Sequence, residues 1–447
     1  MLARLWQYVA GFRGFERDAR VFLFTTLLSS GAISLFWINF NLYLAAIGLD
    51  TSTIGLIAAA GALSSTLAAL PASILSDRLG RRLAMMLGAA LSLAALALLP
   101  LTTDLPLLFL LAIAYGAGQQ ILFVVAIPFM TERSRPEQRS ELFSLQFAIM
   151  NGTQVVAALA GGAIAAAVAA TSGHGADSPE AYRVLLVLMA GLMLGALVSL
   201  FRLSDDRPRR APGESPARVA RVSSGRPAGL RLLERLGVHI GEPVLFVKLL
   251  LPGFLIALGA GQVIPFLNLY IAGRFGLDLS ELNLVFAVTA FGTMVAILLQ
   301  PALARRFGKI GSVVIVQAAS IPFLIVLGFA PVVWMVIIAM AVRNSLMNAG
   351  NPILNAFVME QVRPIERATV AAAMSLLWSL GWVIAGLYYS AIQAALGFDR
   401  GYAVNFLTII FLYVLATVLY WLWFRNAPEP VGGGLRRELA EGLAAGD

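Results

Sequence analysis

Arg343 stands inside AMAVRNSLMNAG, about eleven residues into an apolar run. In hydrocarbon a guanidinium is costly unless it faces a polar cavity or a partner, so it is a candidate functional group by default. Its planar fork matches a carboxylate or phosphate, which would make it the contact for an anionic group on a ligand. A structural tie to backbone carbonyls or polar neighbours is the other reading, and the residues alone leave both open. The remaining polar groups in apolar runs are amides and aromatics: Asn39 and Asn41; Gln119 and Gln120; Gln146, Asn151 and Gln154; Gln262 and Asn268; Asn344, Asn348 and Asn351; Trp378, Trp382 and Tyr388. Amides beside tryptophans suit a polar, hydroxyl-bearing solute. Any one amide serves equally as glue between helices, worth about 0.6 kcal/mol.

Other chemistry is not expected. The chain has no cysteine, so thiolate and disulfide chemistry are excluded. No Asp or Glu lies near the middle of an apolar run, and both histidines, His174 and His239, fall between runs. Arginine does not titrate usefully. Proton coupling through a buried acid is therefore not expected, although Asp77, Glu132 or Glu360 could serve a coupling ion. An enzyme would need a nucleophile with its base, paired carboxylates or a metal cluster. None occurs within the runs, so neither enzymatic activity nor a metal or cofactor is expected.

The elements that must hold these groups can be read from composition. Of 447 residues 59% are apolar and 13% charged, and mean hydropathy is +0.84. Soluble proteins have about 45–50% apolar and about 25% charged residues, so most of this surface must face lipid. Twelve apolar segments are long enough to cross the bilayer as helices: 20–47, 52–76, 82–101, 105–130, 141–170, 182–202, 244–272, 281–303, 311–330, 332–358, 368–396 and 402–424. With alternating sides, 28 of the 32 basic residues fall on the side of the N-terminus; three, Arg183, Arg274 and Arg400, fall opposite, and Arg343 lies within a span. The positive-inside rule then puts both termini in the cytoplasm, in a multi-pass protein of the cell membrane. Basic residues spread over every loop on one side do not make a nucleic-acid patch. The start, MLARLWQYVAGFRGFERDAR, reads as a cytoplasmic or interfacial lead-in, not a cleaved signal.

The polar, Pro- and Arg-rich stretch after residue 203 reads as a flexible linker, with LRLLERLG in it a candidate interfacial helix. The expected organisation is a six-helix bundle at 1–203, a cytoplasmic linker at 204–243, a second six-helix bundle at 244–425 and a cytoplasmic tail at 426–447. The two bundles repeat one another. FNLYLAAIGLD from Phe40 returns as FLNLYIAGRFGLD from Phe266. ERSRPEQR returns as EQVRPIER, and DRLGRR as RRFGKI, each 228 residues on. A duplicated six-helix unit enters from the same side both times, so the copies should be related by an axis along the membrane normal, with a cavity between them.

The stretch SDRLGRR between the second and third spans resembles the signature of the major facilitator superfamily, Gly-x-x-x-Asp-Arg-x-Gly-Arg-Arg. Asp77, Arg78, Gly80, Arg81 and Arg82 match; Ser73 stands in the place of the leading glycine, which would loosen packing of span two on span eleven. The resemblance covers essentially the whole chain. It implies an all-α membrane protein of twelve transmembrane helices in two pseudo-symmetric six-helix bundles, working as a secondary active or facilitative transporter by alternating access. It implies that Asp77 meets the start of span eleven near Thr369, where a helix N-terminus favours a carboxylate. Arg81 and Glu132 would complete a charge cluster closing the cytoplasmic side, with Lys309 and Glu360 a weaker mirror and Arg305 in place of the acid. Since spans one, four, seven and ten line the cavity in that family, Asn41, Gln119, Gln120, Gln262, Asn268, Arg343 and Asn344 become the substrate candidates, with Trp378 beside them. Span five ends in Gly161-Gly162 but carries Ala157 and Ala158 where many drug/proton antiporters of the family have Gly-Pro. The expected substrate is a small polar or anionic solute. An exporter of amphipathic compounds, a lipid flippase or a non-transporting receptor are the alternatives. The expected partners are a small molecule, the lipid bilayer and a coupling ion, with the protein a monomer.

Overall fold

A backbone in hydrocarbon must satisfy its own N–H and C=O groups, and these apolar runs do so as helices. The computed structural model describes residues 14–135, 138–173, 175, 177–204, 242–307, 309–363 and 366–425; of 294–307, Lys309 and a few residues elsewhere within helices it describes the backbone alone. The linker with LRLLERLG, the tail and most of the N-terminal lead-in lie outside the described residues.

The helices are α1 (Arg17–Ala46), α2 (Thr51–Leu79), α3 (Arg81–Leu98), α4 (Leu105–Glu132), α5 (Arg139–Ser172), α6 (Pro179–Leu200), α7 (Pro243–Val263), α8 (Leu267–Phe275), α9 (Leu279–Phe307), α10 (Lys309–Phe329), α11 (Val333–Gln361) and α12 (Arg367–Phe424). Among the described residues ten helical segments are long and apolar enough to cross a membrane, and the apolar part of α9, Leu279–Thr293, is shorter. Large side chains such as Leu67, Leu70 and Phe411 stand 64–70% exposed. Such a surface suits lipid, whereas water would drive it to aggregate.

Two runs differ from expectation. The segment 244–272 is not one helix: α7 ends at Val263, a 3-10 turn spans Ile264–Phe266, and α8 comes next. Pro265 lacks an N–H and cannot continue the ladder. The segments 368–396 and 402–424 are joined without a loop in α12, yet Gly397 within it has φ 71° and ψ −171°. That backbone is open to glycine and strained for other residues. The chain reverses there, because the Tyr389 and Tyr402 hydroxyls lie 2.8 Å apart and Tyr388 reaches Thr408 at 3.1 Å.

Packing obeys one scheme on each side of the linker. α1 packs on α5 and α6, α2 on α4, and α3 on α4 and α6. Beyond it α7 packs on α12, α9 on α11, and α10 on α11 and α12. Three pairings cross the linker: α2 with α12, α5 with α9, and α1 with α8. Buried tyrosines recur with the scheme. Tyr43 donates its hydroxyl to the Leu99 carbonyl at 3.0 Å, and Tyr270 donates to the Gly328 carbonyl at 2.6 Å.

Candidate functional site

α1 carries one stripe of residues three or four apart, Phe22, Thr26, Ser30, Ile33, Trp37 and Asn41, on the side of a cavity of about 910 Å³. At 1.5 Å per residue that stripe runs about 28 Å, most of a membrane crossing. α2, α4 and α5 supply much of the rest, with Tyr115, Gln119, Gln120, Phe123, Gln146 and Phe147 among the lining. From beyond the linker come Gly261, Pro265, Phe266, Trp378, Ser379, Trp382 and Gly386. No charged side chain is among the described lining residues.

The walls are aromatic. Phe36 stacks on Tyr115 with centroids 3.8 Å apart, and Trp37 meets Trp382 edge-on at 5.7 Å. Trp378 lies 6.2 Å from Trp382 and is 43% exposed. The Tyr115 hydroxyl and the Trp382 indole nitrogen are buried without a hydrogen-bond partner. Phe36, Trp37 and Tyr115 were not among the residues singled out from the sequence as ligand contacts. The α1 stripe, with its members on one helical face, is the signal that points to Trp37, and Phe36 lies beside it.

The sequence candidates divide. Asn41, Gln119, Gln120 and Trp378 border the cavity. Gln119 donates to Ser92 Oγ at 3.2 Å, and Asn41 donates to the Pro265 carbonyl at 2.6 Å. Gln262 and Asn268 are buried off the described lining, donating to the Leu258 and Ile38 carbonyls. Arg343 and Asn344 also lie off that lining. The Arg343 guanidinium donates through Nη1 to Asn344 Oδ1 at 2.9 Å and through Nη2 to the Tyr413 hydroxyl at 2.6 Å, and is 5% exposed.

At the Arg-rich end, Gly80 makes the turn between α2 and α3 with φ 90°, a backbone that L side chains rarely adopt. The turn lets Arg81 reach both acids. Its Nη1 lies 2.6 Å from Asp77 Oδ1, and its Nη2 lies 3.0 Å from Glu132 Oε1. Arg82 donates to the Phe201 carbonyl, and Arg78 is exposed. Asp18, unremarked in the sequence, is buried and pairs with Arg133 at 3.3 Å while accepting from Ser204. These ion pairs each join residues on one side of the linker.

At the opposite end, hydrogen bonds join residues that precede 205–241 to residues that follow it. Ser52 meets Ser390 at 2.9 Å, Thr51 donates to Gln393, and Asn283 donates to Asn39 Oδ1 at 3.1 Å. Gly161 permits this last approach, since a Cβ there would sit 2.8 Å from Asn283 Oδ1. Asp50 caps α2 at this end. Its carboxyl is held below the usual range, first by the Thr53 hydroxyl, with burial opposing it, and then by the Thr53 and Ser52 amides.

A family model described as Major Facilitator Superfamily matches residues 22–386. No curated protein sequence matches the chain. Among solved structures, a mutant of the nucleoside transporter NupG superposes with TM-score 0.70 at 12% identity, over 91% of this chain and 100% of that one. A bacterial homologue of the human lysosomal transporter Spinster, inward-facing and occupied, gives 0.67 at 17% identity, over 91% and 96%. A D-xylose–proton symporter gives 0.68 at 14% identity, over 90% and 96%.

Proposed function

The chain belongs to the Major Facilitator Superfamily, and from that premise we propose that it carries an uncharged, aromatic or amphipathic solute across the cell membrane by alternating access. The observation that carries this reading is a cavity walled by Phe36, Trp37, Phe123, Trp378 and Trp382, with no charged side chain among its described lining residues. Such walls favour apolar and planar surface, and a few amides and hydroxyls orient it. The anionic half of the sequence expectation rested on Arg343. Its guanidinium donates through both Nη atoms to Asn344 and Tyr413, leaving only Nε without a partner, away from the described lining. The solute class is therefore closer to the amphipathic alternative.

The same reading counts twelve crossings in two six-helix halves. α12 is 58 residues, about 87 Å if straight, so with its reversal at Gly397 it supplies two crossings. α7 with α8 supplies one, and α9 the last. The recurrence of one packing scheme on each side of the linker supports the two halves. The Arg-rich end is assigned to the cytoplasm by the positive-inside rule. The inter-half seal at the other end then makes this the inward-facing state, and the Asp77–Arg81–Glu132 cluster the group that helps close the cytoplasmic side.

The test is thermal unfolding of purified protein with neutral aromatic, amphipathic, anionic and sugar panels, run on the native chain and Arg343→Gln. A ligand at a hundredfold excess over Kd stabilises by about 2.7 kcal/mol. Neutral aromatic or amphipathic compounds should stabilise both proteins, and proteoliposomes should accumulate the same compounds. Stabilisation by anions alone, lost in Arg343→Gln, would overturn the reading.

A further inference from the structure

We propose that Asn41 and Asn268 form a reciprocal latch between the two halves and set the balance of inward- and outward-facing states, instead of binding the solute. The proposal rests on the two-half reading above and is independent of which solute is carried.

Asn41 Nδ2 donates to the Pro265 carbonyl at 2.6 Å, and Asn268 Nδ2 donates to the Ile38 carbonyl at 2.7 Å. Each amide therefore bonds the carbonyl three residues before the other amide. Asn41 and Asn268 are also the two asparagines of the repeated Asn-Leu-Tyr phrase. One contact is made twice, once in each direction across the pseudo-twofold axis. Both side chains are over nine-tenths buried, and both donors are already engaged.

The break between α7 and α8 is what makes the contact possible. In a regular helix the Leu269 N–H would bond the Pro265 carbonyl. Here Leu269 donates to Asn268 Oδ1 at 2.8 Å, and the Pro265 carbonyl accepts from Asn41. Asn268 thus takes over the local amide with its oxygen and crosses to α1 with its nitrogen.

The position fits a gate. Asn41, Pro265 and Phe266 border the end of the cavity away from the arginines, and the seal of Asn39, Asn283, Ser52 and Ser390 lies on the same side. α1 and α8 cannot part there without breaking both bonds. The latch is made of neutral groups, whereas the opposite end carries Asp77, Arg81 and Glu132. The two ends should differ accordingly in their response to salt, because screening acts on charges.

The experiment uses two introduced labels, which the absence of native cysteine keeps unique. Thr103→Cys and Val332→Cys, both at exposed positions of loops at the sealed end, take spin labels in the full chain reconstituted in lipid. Pulsed dipolar spectroscopy reads their separation. Asn41→Ala and Asn268→Ala should each raise the longer-distance population about fivefold, the shift a typical net hydrogen bond carries. The double variant should raise it further. Asn151→Ala, which loses a bond only to Phe147 in its own helix, should leave the distribution as in the native chain. Asn41→Leu keeps most of the volume, removes the donor at every pH and should act like Asn41→Ala, which covers the case where alanine fails to fold. Unchanged distributions in the latch variants, or a shift in only one of the pair, would overturn the latch. A native chain that shows a single distance in every variant and every condition would instead sink alternating access itself.

Discussion

The phenolic oxygen of Tyr413 accepts a hydrogen bond from Arg343 Nη2 at 2.6 Å, and the guanidinium carbon lies 5.4 Å from the centre of the same ring. The pair ties α11 to the second part of α12. It also satisfies in part a charge that apolar surroundings would otherwise expel. Tyr413→Phe keeps the ring and removes the acceptor. It should lower stability by about 1.5–3 kcal/mol, the range for hydrogen bonds to charged groups, in thermal or denaturant unfolding. Ligand binding in the cavity should stay within about twofold, below 0.5 kcal/mol. Lost binding with unchanged stability would place Arg343 in recognition after all.

The lack of charge among the described lining residues makes a selectivity prediction. Gln120→Glu sets a carboxyl among the described lining residues. Cationic amphiphiles should gain about tenfold in affinity, ~1.4 kcal/mol, while neutral ligands weaken. The gain needs the ionised carboxylate, so it should vanish once acid protonates it. Binding titrations between pH 5 and 8 read this directly. Equal gain at every pH would mean that the new side chain does not change its ionisation over that range.

Asp77 and Glu132 are 63% and 51% exposed at their side chains. Exposed ion pairs contribute about 0–1 kcal/mol, so Asp77→Asn should barely move the unfolding midpoint. If the cluster helps close the cytoplasmic side, transport into proteoliposomes should nevertheless fall at least about tenfold, a barrier change of ~1.4 kcal/mol. Transport at the native rate would leave these charges with a topological role alone.

Asp50 gives the pH prediction. Its carboxylate accepts from Ser52 and Thr53, so its folded pKa lies below the unfolded value. The stabilisation is present above the unfolded value of about 3.9 and is lost as pH falls through the lower folded value. Asp50→Ala should cost about 1 kcal/mol at neutral pH, as lost N-caps do, and much less in strong acid. Unfolding measured at pH 7 and pH 2.5 would separate the two.

The family and the helical runs were legible because lipid imposes long apolar helices and because Asp77, Arg78, Gly80, Arg81 and Arg82 form a spaced signature. The repeated Asn-Leu-Tyr phrase was legible as a duplication, and its tyrosines and asparagines do equivalent work in both copies. The break at Ile264–Phe266 was hidden inside an unbroken apolar run, where hydropathy carries no signal for a lost backbone bond. Tyr413 as the partner of Arg343 was hidden too, since seventy residues separate them and only packing brings α11 to α12. The α1 part of the cavity's aromatic wall, Trp37 with Phe36 beside it, lay in view along one face of that helix. Hydrophobic side chains there look the same in sequence whether they face lipid, core or ligand.

Most of the described cavity wall precedes the linker, and the helices beyond the linker contribute chiefly a proline turn and two tryptophans. On the two-half reading proposed above, the described wall would leave most of the choice of solute to the first bundle. Changes of taste can accumulate in Thr26, Ser30, Trp37 or Phe123 without touching the buried tyrosines that hold the second bundle together. A chimaera that grafts a relative's first six helices onto this chain's last six should inherit the relative's appetite.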